Sequence, residues 1–232
     1  PNIGSVLKKL GYATAYFGKF EMDKDILHYQ DTVNYSKALV PYGFDTLAVG
    51  GDVDSKPDSG YKHDANTAGE CVRWLRTLQV DPQQKGQPFL LVASFLNPHD
   101  IMYADANQPG EHVQQGAAHH ELTGPPANSL YQTNWSFPLP PSLGESLTAP
   151  GMPAALAEYN AGWSGALGYI PADRHDMWQL YNNYYLNMIR DNDTSLQQII
   201  DVMNEMELWK DTIVIFTSDH GDMHGSHGVY KK

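Results

Sequence analysis

The chain closes with Thr212-Ile-Val-Ile-Phe-Thr217, followed by Ser218-Asp-His-Gly-Asp-Met-His-Gly-Ser-His-Gly-Val-Tyr-Lys-Lys232. The first six residues are β-branched and aromatic, which predicts a buried strand. A carboxylate and an imidazole, Asp219 and His220, come just after that predicted strand. In open α/β sheets, ligands bind at the carboxyl ends of the strands. The hard oxygen ligand, the glycines and the lysines of this segment therefore favour a metal-dependent site for a phosphate-like or sulfate-like anion.

The rest of the chain alternates helical and strand patterns. Helices are predicted over 3–10, 63–79 and 174–208, and strands over Tyr12–Phe17 and Pro88–Leu96. This order predicts an α/β fold with a mainly parallel central sheet and helices on its faces.

Two stretches, 22–60 and 100–172, lack periodicity and are predicted to be irregular, the second as an insertion or a functional loop. The tryptophans of the second stretch, Trp135 and Trp163, either line a substrate cleft or pin the loop to the body. A Met and aromatic stripe in 174–208 is predicted to be core.

Composition excludes some classes of protein. The 232 residues, 41% of them hydrophobic, suffice for a sizeable core. The net charge of −12 argues against a nucleic-acid partner, although a bound cation and a few lysines can still attract an anion. No apolar run approaches the roughly 20 residues that span a bilayer. The single cysteine, Cys71, lies on a helical pattern and is predicted to be a core residue, which leaves the redox compartment open.

Three segments, in order, resemble the sulfatase family of the alkaline-phosphatase superfamily. They are Gly11-Tyr-Ala-Thr-Ala-Tyr-Phe-Gly-Lys-Phe20, Pro88-Phe-Leu-Leu-Val-Ala-Ser-Phe-Leu-Asn-Pro-His99 and the segment Ser218–Lys232 with its Ser-Asp-His-Gly and Gly-Ser-His-Gly elements. The resemblance implies an alkaline-phosphatase-like fold, in which residues 1–232 are part of the sulfatase N-terminal catalytic domain. It also implies a sulfuric ester hydrolase that acts on a sulfated small molecule or glycan.

The resemblance assigns roles to particular residues. Lys19, His99 and Lys232 are implied to contact the sulfate and to take part in catalysis. Asp219 and His220 are implied metal ligands, for a divalent cation that is Ca²⁺ in this family. An imidazole is an awkward ligand for Ca²⁺, which prefers oxygen. Three further residues have no settled role: Glu21, His227 and Lys231, the last being an alternative to Lys232.

Two departures from the family pattern matter. Glu21 stands where the family has histidine, and a carboxylate there would repel sulfate unless it were protonated, bound a cation or pointed elsewhere. The family's formylglycine, made in a Cys/Ser-x-Pro-x-Arg motif, and its earlier aspartate pair have no counterpart in the sequence. Both are expected upstream, so we expect the chain to be an internal fragment that is inactive alone.

Alternative functions stay open at this stage. One is a phosphodiesterase or phosphonate hydrolase of the same superfamily, and another is a non-catalytic module that binds sulfated glycans or metal. The sequence does not name the substrate or the oligomeric state. Family resemblance implies an exported protein, whether periplasmic, secreted or lysosomal.

Overall fold

The computed structural model describes residues 1–23, 32–46 and 56–231. The chain divides into two compact units. The first comprises Pro1–Ser55, Ser59–Asn97 and Asp191–Val214, and the second comprises Lys56–Asp58, Pro98–Arg190 and Ile215–Lys232. Each unit has a hydrophobic core of its own.

The main elements are five helices and a pair of parallel strands among the described residues, which makes the fold α/β. In chain order they are α1 (Ile3–Lys9), β1 (Ala13–Gly18), α2 (Thr32–Leu39), α3 (Ser59–Val80), β2 (Phe89–Ser94), α4 (Ala154–Leu167) and α5 (His175–Glu205). Strands β1 and β2 pair in parallel, from Ala13 opposite Phe89 to Gly18 opposite Ser94. Within the described residues the sheet is this one pair, so the larger central sheet with helices on both faces stays a prediction.

The first unit packs helices α3 and α5 with the strand β1. The buried face of α3 repeats at helical spacing, and Ala68, Cys71 and Leu75 lie in one cluster with Ala15 and Phe17 of β1. The C-terminal part of α5 adds Ile199, Val202 and Met203. Cys71 is fully buried, as predicted, and burial raises the pKa of its thiol to about 12, so the thiol stays protonated and unreactive.

Gly18 determines how β1 ends. Its φ is +95°, and a Cβ at this position would lie 1.9 Å from the backbone oxygen of Ser94 on β2. Only glycine avoids both the left-handed strain and that overlap. The next residue, Lys19, then donates its backbone N–H to the same Ser94 oxygen at 3.2 Å, so the sheet edge directly positions this lysine.

The second unit is built around the N-terminal part of α5. The predicted Met and aromatic stripe is confirmed as core: Met177, Tyr181, Tyr184 and Met188 are buried together, and Trp178 is buried beside them. Trp135 of the long loop donates its indole N–H to Asn187 on α5 at 2.9 Å, and its backbone N–H to Asn183 at 2.8 Å. This tryptophan therefore pins the loop to the body.

The prediction of a strand at Thr212–Thr217 is wrong. The segment is not a strand, and its apolar side chains from Ile213 to Phe216 are 49–89% exposed. A strand exists only where a neighbour accepts and donates its backbone hydrogen bonds, and no described residue forms a ladder with this run. The run has the composition of a strand, but no described strand lies beside it to pair with its backbone.

Both stretches predicted to be irregular contain a helix. Helix α2 lies in 22–60, and α4 lies in 100–172, where Pro153 precedes an Ala-rich run. Three glycines in or just after α4 obscured its period. Among the described residues, no helix is both long and apolar enough to cross a membrane.

Candidate functional site

Lys19 lies directly beyond β1 in the first unit, and its charge is paired. Its Nζ is 3.2 Å from Oε2 of Glu21, which adopts a left-handed φ of +42°. The lysine side chain is mostly buried, whereas the glutamate side chain is 51% exposed. Glu21 therefore does not point away from Lys19. It sits beside that lysine and offsets its charge.

In the second unit, two of the predicted site residues come together. The His99 ring centroid is 6.3 Å from that of His220, although the two residues are far apart in the sequence. His99 opens a short 3₁₀ turn, His99–Tyr103, and its Nδ1 is 3.4 Å from Oδ1 of the buried Asp100. A carboxylate at that distance favours a proton on Nδ1.

Asp219 and His220 form a local, solvent-facing pair. The Asp219 side chain is 85% exposed and accepts the His220 backbone N–H at 2.9 Å. The His220 Nε2 is 3.4 Å from Asp219 Oδ2, and its Nδ1 is 3.1 Å from the oxygen of Gly221. The pair thus presents one carboxylate and one imidazole on an open surface.

These two donors do not by themselves fit a divalent cation. Ca²⁺ takes six to eight oxygen ligands, and structural sites of other metals need about four donors. In the parts of the chain that the structure describes, no group of three or more His, Cys, Asp or Glu side chains could hold a metal ion. These two residues alone therefore cannot hold a metal ion in place for catalysis.

Three predicted site residues remain, His227, Lys231 and Lys232, and each has a different environment. His227 Nδ1 lies 2.8 Å from Oε2 of Glu145, so it forms an ion pair when protonated. Lys231 is 1% exposed, and its Nζ lies 4.7 Å from the Trp163 ring centroid and 4.5 Å from that of Tyr230. Lys232 lies outside the described residues.

Burial makes Lys231 a poor contact for a substrate. Its Nζ has no hydrogen-bond partner among the described residues, and loss of solvation lowers the pKa of Lys231 to about 8 against the opposing charge of Asp222. An ammonium that is enclosed by aromatic rings cannot reach an external anion. The predicted convergence of Lys19, His99, Asp219, His220 and Lys232 stays a prediction.

Sequence reasoning missed one residue beside the site. It is Asp222, whose Oδ2 accepts the hydroxyl of the buried Tyr181 at 2.9 Å. Tyr181 was recognisable only as part of a core stripe, and nothing in its spacing indicates that its hydroxyl bonds a residue 41 positions away.

Comparison with known families gives one result. The protein-family model described as Sulfatase matches residues 1–232, the whole length of the chain. Comparison with curated proteins finds no match.

Proposed function

The chain belongs to the sulfatase family, and from that premise we propose that it hydrolyses sulfate esters with the help of a divalent cation. In this proposal residues 1–232 are part of one catalytic domain with an insertion at about 100–172, which contains α4. The domain has a mainly parallel central sheet with helices on both faces.

The proximity of His99 and His220, beside Asp219, is the observation that carries the proposal. An imidazole can donate or accept a proton near neutral pH. We assign to His99 the contact with a sulfate oxygen or the protonation of the leaving alcohol. Asp100, beside Nδ1, would leave Nε2 as the atom that exchanges the proton. Lys19 and Lys232 would offset the charge of the sulfate oxygens.

The proposal needs groups that the 232-residue sequence lacks. Asp219 would supply one hard ligand to the cation, Ca²⁺ by family resemblance, and His220 would occupy a neighbouring ligand position. The family's earlier aspartate pair and its formylglycine motif have no counterpart in the sequence. Removing a nucleophile lowers rates by orders of magnitude, so residues 1–232 alone should show no turnover.

The test replaces Asp219 by Asn in the protein expressed from the complete open reading frame. We expect the affinity for Ca²⁺, measured by calorimetry, to fall at least tenfold, and hydrolysis of sulfate esters to fall with it. The melting temperature should stay within about 2 °C, because an exposed side chain contributes little to stability. The exposed Asp173 of the same unit, as Asp173→Asn, controls for the lost charge. Wild-type calcium affinity and turnover in Asp219→Asn would remove the assignment.

One observation favours a second candidate, a non-catalytic module that binds sulfated glycans. The Glu21 carboxylate lies 3.2 Å from the Lys19 ammonium, where a sulfate would otherwise be attracted. Such a module would bind sulfated sugars and release no inorganic sulfate from them. Measuring sulfate release separates the two candidates.

A further inference from the structure

Asp222 is fixed to helix α5 by a buried hydroxyl. Tyr181 is fully buried on that helix, and its hydroxyl donates to Asp222 Oδ2 at 2.9 Å. Burial, together with the charge of Asp222, raises the pKa of Tyr181 well above its ordinary value. The hydroxyl therefore stays protonated at neutral pH and remains a donor. A hydrogen bond from a buried hydroxyl to a carboxylate belongs to the stronger class of hydrogen bonds.

The residues after Asp222 form a closed turn, defined here as the 222–231 turn. Asp222 Oδ1 accepts the His224 backbone N–H at 2.8 Å, which starts the turn. The Met223 N–H donates to the Lys231 oxygen at 3.0 Å, and the Gly225 N–H donates to the Val229 oxygen at 2.9 Å. These two backbone bonds close the turn on itself.

A second contact fastens the 222–231 turn to the same helix. His224 Nδ1 lies 2.7 Å from the side-chain oxygen of Asn182, the residue next to Tyr181. The His224 ring also packs 3.8 Å, centroid to centroid, from the Tyr185 ring. Asp222 and His224 thus hold the turn against one face of α5.

With the residues that the structure describes, Asp219 and His220 form only local hydrogen bonds. Asp219 accepts the His220 backbone N–H, the Ser218 hydroxyl donates to the His220 oxygen, and His220 Nδ1 lies 3.1 Å from the oxygen of Gly221. His220 is two residues from Asp222, so their Cα atoms can be at most about 7 Å apart. Asp222 is therefore the nearest anchor that restricts where His220 can lie.

We propose that Asp222 is a positioning residue: by fixing the 222–231 turn to α5 through Tyr181, it holds His220 beside His99. Its importance for catalysis rests on the proposed function, but the placement itself does not. A carboxylate suits the role because each of its oxygens accepts one hydrogen bond. An asparagine offers one acceptor oxygen, so either the Tyr181 hydroxyl or the His224 N–H loses its partner.

Two variants test the proposal from opposite ends of the same hydrogen bond. Asp222→Asn removes one acceptor, whereas Tyr181→Phe removes only the hydroxyl and preserves the ring in the core. Asp173→Asn removes an exposed carboxylate in the same unit and serves as the matched control. The readout is the imidazole ¹H–¹³C NMR spectrum of residues 1–232, with the His99 and His220 signals assigned from His99→Gln and His220→Gln.

The spectra should respond in a specific way. In both anchor variants the His220 signal should shift and broaden, and the wild-type effect of His99→Gln on that signal should vanish. The double variant should be no worse than either single one, because both break one interaction. An unchanged His220 signal in both variants, with α5 intact, would overturn the positioning role whatever the enzyme does.

The second part of the experiment measures turnover by the protein expressed from the complete open reading frame. Well below the melting temperature, kcat for a sulfate ester should fall at least tenfold in Asp222→Asn and Tyr181→Phe, with KM unchanged within twofold. A residue that only stabilises the fold would lower the melting temperature and leave kcat per folded molecule unchanged, which would contradict the proposal. Inactive wild-type protein with normal His220 behaviour would sink the proposed function instead.

Discussion

Lys231 carries its charge in a fully buried place, between the rings of Trp163 and Tyr230. A folded-state pKa of about 8, against 10.5 for an ordinary lysine, corresponds to a cost of about 3 kcal/mol at neutral pH. Contact with aromatic faces returns about 1 kcal/mol of that cost. We therefore expect Lys231→Met to raise the free energy of unfolding by about 2 kcal/mol at pH 7, measured by chemical denaturation.

The advantage of Lys231→Met should depend on pH in a definite direction. Between pH 8 and 10.5 the unfolded lysine holds its proton and the folded one does not, so wild-type stability gains as pH rises through this window. The advantage should shrink by about 2 kcal/mol between pH 7 and 9.5. The buried tyrosines also titrate at high pH, but both proteins contain them. Their contribution therefore cancels in the difference between the two free energies of unfolding. A pH-independent loss of stability in the variant would mean that the ammonium is not buried.

In the proposed sulfate site, the Glu21 carboxylate weakens the attraction of the Lys19 ammonium for an anion. Its side chain is half exposed, so the pair is worth at most about 1 kcal/mol, or roughly fivefold in affinity. We expect Glu21→Gln to tighten the binding of inorganic sulfate by up to this factor, measured by calorimetry. Glu158→Gln, an exposed carboxylate on α4, corrects for the change in net charge. Equal sulfate affinities in the two variants would place Lys19 outside the anion site.

At the scale of elements, the close approach of β1 and β2 depends on Gly18. A methyl group there meets the Ser94 backbone at 1.9 Å in addition to the strain of a positive φ. We expect Gly18→Ala to lower the free energy of unfolding by about 3 kcal/mol, from about 1 of strain and about 2 of overlap. Gly11→Ala is the matched control, since Gly11 also has a positive φ but nothing within 4 Å, and it should cost only about 1 kcal/mol. Both free energies are measured by thermal and by chemical denaturation. Equal losses of stability in Gly18→Ala and Gly11→Ala would show that the strands can separate at Gly18 without cost.

The elements that periodicity predicted are those whose neighbours are built into the pattern itself. The buried face of α3 and the aromatic stripe of α5 repeat at helical spacing, and the structure contains both helices. The run Thr212–Thr217 has strand composition, but composition does not supply a pairing partner, and its backbone stays unpaired with the described residues. Helix α4 was missed because its glycines hide a helix that Ala and Leu favour.

The candidate site was predictable only in part, for a related reason. Residue types and motif order indicated His99, Asp219 and His220, and the structure brings the two histidine rings within 6.3 Å. The Tyr181–Asp222 bond joins two elements 41 residues apart, and no local pattern encodes it. The burial of Lys231 likewise depends on the ring of Trp163, which is distant in the sequence, as well as on the ring of its neighbour Tyr230.

For the molecule as a whole, the family match covers every residue, whereas the described cation ligands are incomplete. The 232-residue sequence also lacks the family's Cys/Ser-x-Pro-x-Arg motif, so we propose that sulfatase-type chemistry needs a nucleophile that this sequence does not supply. A purified chain of residues 1–232, with calcium present, should release no sulfate above the buffer rate. Robust turnover by this chain, free of contaminating enzyme, would show that its own residues include a nucleophile.

The most direct test measures hydrolysis by the protein from the complete open reading frame on paired substrates. A panel of aryl and sugar sulfate esters is compared with the matching phosphodiesters and phosphonates. We predict that kcat/KM for the best sulfate ester exceeds that for any phosphorus ester at least a hundredfold, and that Asp219→Asn and His99→Gln each remove most of it. Preference for a phosphorus ester would instead indicate a phosphodiesterase or phosphonate hydrolase. Tight binding of sulfated sugars without any release of sulfate would contradict the enzyme assignment altogether.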